Sequence, residues 1–268
     1  MKLQNKIQAQ SIGRIMSSEE AAELERVKRV HTETGSWDVN DLERLCREGY
    51  LEVIKYGHEH GYPWDPKTTY WAAAGEHLDI IRYCHEHGCP WDSYATVCAV
   101  VTNNFEMLTY CIQHGCPWNN DSTCCAAQKN NFKMLKYCIE NGCQWHPHTT
   151  YWAAEANNFE MLRYCHEHGC PWDSNTTRNI AHHDNSAMFQ YCYENGCPLD
   201  DWAMYQALVA GSVSILEYLY EQQAKFATVV DQHIHPNSKE FLEIYGEAWK
   251  SGRFDVPLPW QCIKPAKG

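Results

Sequence analysis

Two thiols and two imidazoles fall within six residues in the phrase CHEHGC, Cys84 to Cys89, and the phrase returns at Cys165 to Cys170. Zinc wants four Cys or His ligands in a tetrahedron, and paired thiols can also do redox chemistry, so these residues raise both readings. The chain contains its own test, because the phrase lies inside an internal repeat. Trp37, Trp64, Trp91, Trp118, Trp145 and Trp172 are each 27 residues apart, and Leu199 and Phe226 continue the series. Slots can therefore be compared. The Cys84 slot becomes Gly57 and Leu219, the Cys89 slot becomes Tyr62 and Ala224, and the His85 slot becomes Ile112, Ile139 and Tyr193. A slot that accepts Ile is a packing slot. His60, His87, His114 and His168 share their slot with Asn141 and Asn195, residues suited to a helix end. The expectation is small packed thiols with helix-terminal imidazoles, with no metal and no cofactor. Equivalent cysteines of adjacent repeats should lie near the helix-packing distance of about 8–10 Å, beyond the roughly 4.4–6.8 Å Cα separation of a disulfide. Cys84 with Cys89 stays geometrically open, as does the adjacent pair Cys124 and Cys125.

An enzyme needs an acid, base or nucleophile set apart from the repeat pattern. No phosphate-binding Gly loop, H-E-x-x-H or nucleophile elbow occurs. The one local cluster is AHHD, Ala181 to Asp184, where His182 and His183 replace Gln128 and Lys129. Adjacent residues point in different directions on a helix, so this pair reads as solvated surface. The chain is expected not to be an enzyme.

The elements that position these residues follow from the same period. Asn157 to Gly169, NNFEMLRYCHEHG, places Phe159, Met161, Leu162, Tyr164 and Cys165 on a broad apolar helix face with Glu160, Arg163 and Glu167 opposite. Glu160 with Arg163, Asp79 with Arg82 and Glu52 with Lys55 have the i,i+3 spacing of helix ion pairs. Gly61, Gly88, Gly115, Gly142, Gly169 and Gly196 stand where the helix must stop, and Pro63, Pro90, Pro117, Pro171 and Pro198 forbid continuation. The Trp of each repeat is expected to enter the groove between neighbours and to supply a substantial share of the core.

Asp65, Asp92, Asn119, Asp173 and Asp200 then start a turn. The next slot, Pro66, Ser93, Asn120, Pro147, Ser174 and Asp201, holds types that open helices by capping or by presetting φ. A shorter helix follows, as in TTYWAAAG from Thr68, with a small slot at Ala72, Ala99, Ala126, Ala153 and Ala207 for close helix contact. The result is an all-α solenoid of helix-turn-helix repeats. Ser17 and Glu20 form a possible capping box for a helix to about His31, so 1–37 reads as an N-terminal half-repeat cap. Residues 38–226 are the tandem repeats. In 227–268, Asn237 and Glu240 open a capping helix to about Lys250, followed by an irregular tail from Phe254.

The net charge of −12 leaves no basic stripe, which excludes nucleic acid and anionic membrane as partners and favours a partner with basic patches. No stretch reaches the roughly 20 apolar residues of a membrane span. The opening MKLQNKIQAQSIGRIM lacks a signal-peptide core, and the odd number of cysteines, 15, in a long chain argues for reduced thiols. An intracellular, cytoplasmic location is expected.

The pattern resembles the ankyrin repeat. Over Lys67 to Asp92, Ala72 and Ala73 take the family's Ala pair, His77 its His, Gly88 its Gly, Cys89 its Ala and Trp91 its Val. The unit is about six residues shorter than the usual 33 or so, a loss that falls in the β-hairpin, which is therefore expected to be shortened or missing. With Cys-Pro-Trp for Ala-Asp-Val, the chain is similar to the short ankyrin-type repeats expanded in giant DNA viruses and some protists, and the likeness covers about Leu24 to Phe226. Were the chain viral, the resemblance would place it in the host cytoplasm. The resemblance implies no catalytic residue and a protein partner held on the concave side. Some viral members add an F-box that recruits a ubiquitin ligase. None is found here, which leaves a ligase substrate receptor recruited in trans as one alternative and a zinc-binding or redox-active Cys/His protein as another.

Slots that vary within a fixed scaffold are where a solenoid can write specificity. In the turn and short helix these are Lys67, Tyr94, Asp121, His148, Asn175 and Trp202; then Tyr70, Tyr151, Arg178 and Tyr205, with Val97 and Cys124; then Gln128, Glu155 and His182, with Ala74, Val101 and Val209. Their Tyr, Trp and Arg are also the types that anchor interfaces. Arg82 to Ser93 and Arg163 to Ser174 are identical and 81 residues apart, which points to a three-unit duplication and predicts two similar surface patches.

Overall fold

The computed structural model describes residues 16–35 and 42–210, with five further positions between 212 and 219. Trp37, Phe226 and the expected capping helix from Asn237 lie outside the described residues, as do the tail from Phe254 and the side chains of Tyr205 and Val209. The chain divides into two compact units, Met1–Gln144 and Trp145–Gly268. Among the described residues there are helices and no strands, and no helix is long and apolar enough to cross a membrane.

In the first unit, α1 (Ser18–Thr34) precedes the pair α2 (Leu42–Glu48) and α3 (Leu51–Glu59). Three pairs of a short and a longer helix follow: α4 (Lys67–Ala74) with α5 (Leu78–Glu86), α6 (Tyr94–Val101) with α7 (Phe105–Gln113), and α8 (Asp121–Gln128) with α9 (Phe132–Glu140). The second unit holds α10 (Thr149–Glu155) with α11 (Phe159–Glu167), α12 (Ser174–His182) with α13 (Ser186–Glu194), and α14 (Asp201–Ala210). Within each unit the short helices pack side by side, α2 on α4, α4 on α6 and α6 on α8, then α10 on α12 and α12 on α14. Each short helix from α2 to α12 also packs on its own longer helix, so each unit is an α-solenoid stack of helix pairs.

The two turns of a repeat are closed by different chemistry. At the end of α5, Gly88 takes φ 79, and the Cys89 N–H donates 2.9 Å to the Cys84 carbonyl. This left-handed stop is the one the glycine spacing predicts. The turn between short and long helix uses a second left-handed residue, Asn103, Asn130, Asn157 or Asp184, which sequence reading did not place. The next residue then caps the long helix: Asn104, Asn131, Asn158 and Asn185 each accept the N–H of Met107, Met134, Met161 or Met188 on their side chains.

Several expectations are corrected. The core is built from Ile81, Met107, Leu108, Met134, Leu135, Met161, Leu162 and Phe189 with the Ala and Cys slots, all buried. Trp64, Trp91, Trp118, Trp145 and Trp172 are only half-buried, so they are not its main contributors. They act instead as staples: the Trp64, Trp91 and Trp118 Nε1–H groups donate to the carbonyls of His87, His114 and Asn141, one repeat on, at 3.1, 3.1 and 2.9 Å. An indole needs an acceptor for its N–H, and the frayed carbonyl end of the neighbouring helix supplies one.

The turn-starting Asp and Asn do the capping, with Asp65, Asp92, Asn119 and Asp173 accepting the N–H of Lys67, Tyr94, Asp121 and Asn175. Pro66, Ser93 and Asn120 make no side-chain cap bond. The capping box is half formed. Ser17 accepts the Glu20 N–H at 3.0 Å, but the buried Glu20 carboxylate accepts the Glu52 N–H of α3 at 2.9 Å instead of turning back. Glu52 and Lys55 do pair at 2.7 Å, whereas Arg82 crosses to Glu106 at 3.0 Å and Arg163 reaches Glu167 at 3.8 Å.

Candidate interaction surface

Each short helix buries one side and presents the other. α4 buries Thr68, Thr69, Ala72 and Ala73, α6 buries Ala95, Thr96, Ala99 and Val100, and α8 buries Ser122, Thr123, Ala126 and Ala127. The variable slots occupy the remaining stripe, because i, i+3 and i+7 share a helix face. In the first unit this face carries Lys67, Tyr70, Tyr94, Asp121 and Gln128, with Val97, Val101 and Cys124 between them. Tyr94 and Val101 are 49% and 41% exposed, large for apolar side chains on an ordered helix. Tyr70 meets Tyr94 edge-on with ring centroids 6.1 Å apart.

In the second unit the same slots behave unevenly. His148, Glu155, His182 and Trp202 are exposed, Trp202 by 58%. His148 lies 6.4 Å from the half-buried Tyr151. Arg178 is committed within the chain: its Nε donates to Asp200 at 3.0 Å, its Nη2 to the other Asp200 oxygen, and its Nη1 to Asn175 at 3.1 Å. Burial alone would raise the Asp200 carboxyl, but hydrogen bonds from Arg178, Ser174 and the Ala203 N–H hold it below its usual value. Arg178 thus joins neighbouring repeats through Asp200, and Asn175 steadies it from the same helix. His182 and the half-buried His183 stand 5.4 Å apart on the C-terminal end of α12, in the divergent placement expected of adjacent helix residues.

What backs this surface is a hydroxyl row that sequence reading missed. The Thr96 and Ser122 hydroxyls meet at 3.2 Å, and Thr176 donates to Thr150 at 3.4 Å, all four buried. The signal was available: Thr69, Thr96, Thr123, Thr150 and Thr177 occupy one slot in five successive repeats. A buried hydroxyl needs a partner, and the neighbouring repeat offers it.

The thiols are packed in pairs behind the long helices. The paired slots Cys84 and Cys89, Cys111 and Cys116, Cys138 and Cys143, Cys165 and Cys170, and Cys192 and Cys197 are all buried and unbridged. The hydrogen bond from its partner thiol, and then burial, push Cys84, Cys116, Cys165 and Cys197 up. The second thiol also points at the previous repeat, Cys89 to the Asp65 carbonyl at 3.6 Å and Cys197 to that of Asp173 at 3.4 Å. Thiolate is the reactive form, so these groups should resist modification. In the folded chain, Cys98, Cys124 and Cys125, half-buried on the short helices, should react first among the described cysteines with an aromatic disulfide reagent, even though burial raises Cys98 to about 11. The paired thiols should follow only as the chain unfolds. Their reaction at the rate of the half-buried three would contradict this packing.

The imidazoles divide into two kinds. His60, His87 and His168 donate Nδ1–H to the carbonyls of Tyr56, Tyr83 and Tyr164 at 2.8 Å, and Asn141 and Asn195 make the same bond with their amides. His58, His85 and His166 stack on Trp64, Trp91 and Trp172, with the last pair 3.9 Å apart and nearly parallel. Packing thus explains the His85 slot's tolerance of Ile. Among the described residues no group of three or more His, Cys, Asp or Glu is placed to hold a metal ion.

A scan against protein-family models and a search of curated proteins both return no match for this chain.

Proposed function

We propose that the chain is a non-catalytic, ankyrin-type binding scaffold that holds a protein partner on the face lined by its short helices. The observation that carries this reading is the exposure of Tyr94 and Val101 beside Tyr70, on helices whose opposite sides are fully buried. An apolar group on a rigid, hydroxyl-linked backing loses little entropy on binding, and Tyr is a frequent anchor. The charge of −12 favours a basic partner. Unbridged thiols at all 14 described cysteines support a reducing, cytoplasmic setting.

The test compares capture by the wild-type chain with capture by Tyr94→Ala/Val101→Glu. A partner of this face should bind the variant about thirtyfold more weakly or worse, the equivalent of an anchor worth ~2 kcal/mol, while both chains melt alike. Partners retained equally by both chains would remove the assignment of this face.

A further inference from the structure

We propose that the first unit binds a borderline divalent cation of the zinc type through imidazole pairs that span neighbouring repeats, His58 with His87 and His85 with His114. Their ring centroids are 5.2 and 4.9 Å apart. Two imidazoles sharing a tetrahedral ion at Zn–N distances of about 2.0–2.1 Å have centroids roughly 5 Å apart. The observed ring spacings match that separation.

The rings are held in place by what surrounds them. His58 lies on Trp64 at 4.5 Å and His85 on Trp91 at 5.2 Å, while His87 lies on Tyr83 at 4.0 Å and His114 on Tyr110 at 4.2 Å. The Nδ1–H of His87 is given to the Tyr83 carbonyl, and a carbonyl only accepts, so the lone pair of the neutral ring is on Nε2. Donation of the other ring N–H to a carbonyl is the usual support of a metal-bound histidine. The Nδ1 of His58 is engaged by the Tyr83 hydroxyl at 3.1 Å. The exposed Glu59 and Glu86, next in sequence to His58 and His85, add negative charge to this edge.

Imidazole suits zinc, copper and nickel, whereas calcium and magnesium prefer oxygen. With two protein ligands per pair, water fills the remaining positions. The buried thiols are a different matter: they would have to lose protons and leave their packing to bind.

The repeats themselves supply the variants. Asn141 and Asn195 keep the helix-end hydrogen bond of the His87 slot at 2.8 Å, so His87→Asn and His114→Asn should fold as the wild type does. Ile112 and Ile139 make His58→Ile and His85→Ile equally natural. Calorimetric titration of the reduced full chain with zinc chloride at neutral pH should show binding that calcium chloride does not reproduce. Each Asn variant should remove one equivalent, its residual affinity falling about tenfold or more, and the Ile variants should do the same. A free-thiol count should stay constant throughout the titration. Zinc binding unchanged in the double His87→Asn/His114→Asn chain would overturn the proposal, as would thiols lost during titration, equal binding of calcium, or no binding at all.

Discussion

Leu135→Ala should destabilise the first unit by about 2–5 kcal/mol, among the largest effects available to a single substitution in this chain. Leu135 is fully buried on α9, beside Met134 and Cys138. Its slot holds Ile81, Leu108, Leu162 and Phe189 in other repeats, and every one of them is also fully buried. Truncation loses the transfer energy of the side chain and leaves a cavity that neighbouring helices only partly fill. In a stack, stability is the sum of repeat and interface terms, and Leu135 belongs to both. Urea unfolding followed by far-ultraviolet circular dichroism should show a lower midpoint. A midpoint equal to that of the wild type would mean that this slot is not core.

Gly75→Ala should cost about 1–3 kcal/mol through overpacking, more than Gly88→Ala, although only Gly88 has a positive φ. A Cβ on Gly75 would lie 2.4 Å from the Arg47 carbonyl oxygen and 2.8 Å from the Arg47 Cα. Backbone cannot rotate aside as a side chain can. The same Cβ would press on His77, whose Nε2–H donates to that carbonyl at 2.9 Å. At Gly88, φ is 79 but a Cβ meets nothing within 4 Å, so only the left-handed conformation is penalised, at roughly 1 kcal/mol. Thermal melts of the two variants should rank Gly75→Ala below Gly88→Ala. The reverse order would show that the α2–α4 contact yields easily.

Repeat comparison was a strong guide wherever a residue meets the same surroundings in every unit. The Gly stops, the small Ala slot and the His or Asn at the helix end could all be read that way, because local backbone chemistry determines them. The staple role of Trp could not. Size and hydrophobicity placed Trp64 and Trp91 in the core, but a half-exposed indole that donates to the next repeat is as regular in sequence as a buried one. The binding slots were identified as a helix stripe, yet Arg178 and Tyr94 look alike as variable aromatic or basic positions. Only packing distinguishes the residue tied to Asp200 from the one open to solvent.

The sequence by itself determined the period, the helical class, the two helices per repeat and the points where the longer ones stop, since each follows from spacing along one chain. It also marked the two Cys slots of CHEHGC as packing positions, because they accept Gly57, Leu219, Tyr62 and Ala224 in other repeats. Tertiary structure decided what depends on the neighbouring repeat. The Gly75 slot holds Thr102, Lys129, Ala156 and His183 elsewhere and so looks tolerant, but Arg47 fills its space. His58 and His87 are far apart in the chain and come together only because α3 and α5 pack side by side. Periodicity describes what each repeat carries, whereas contact between repeats is fixed by which side chains cross the seam.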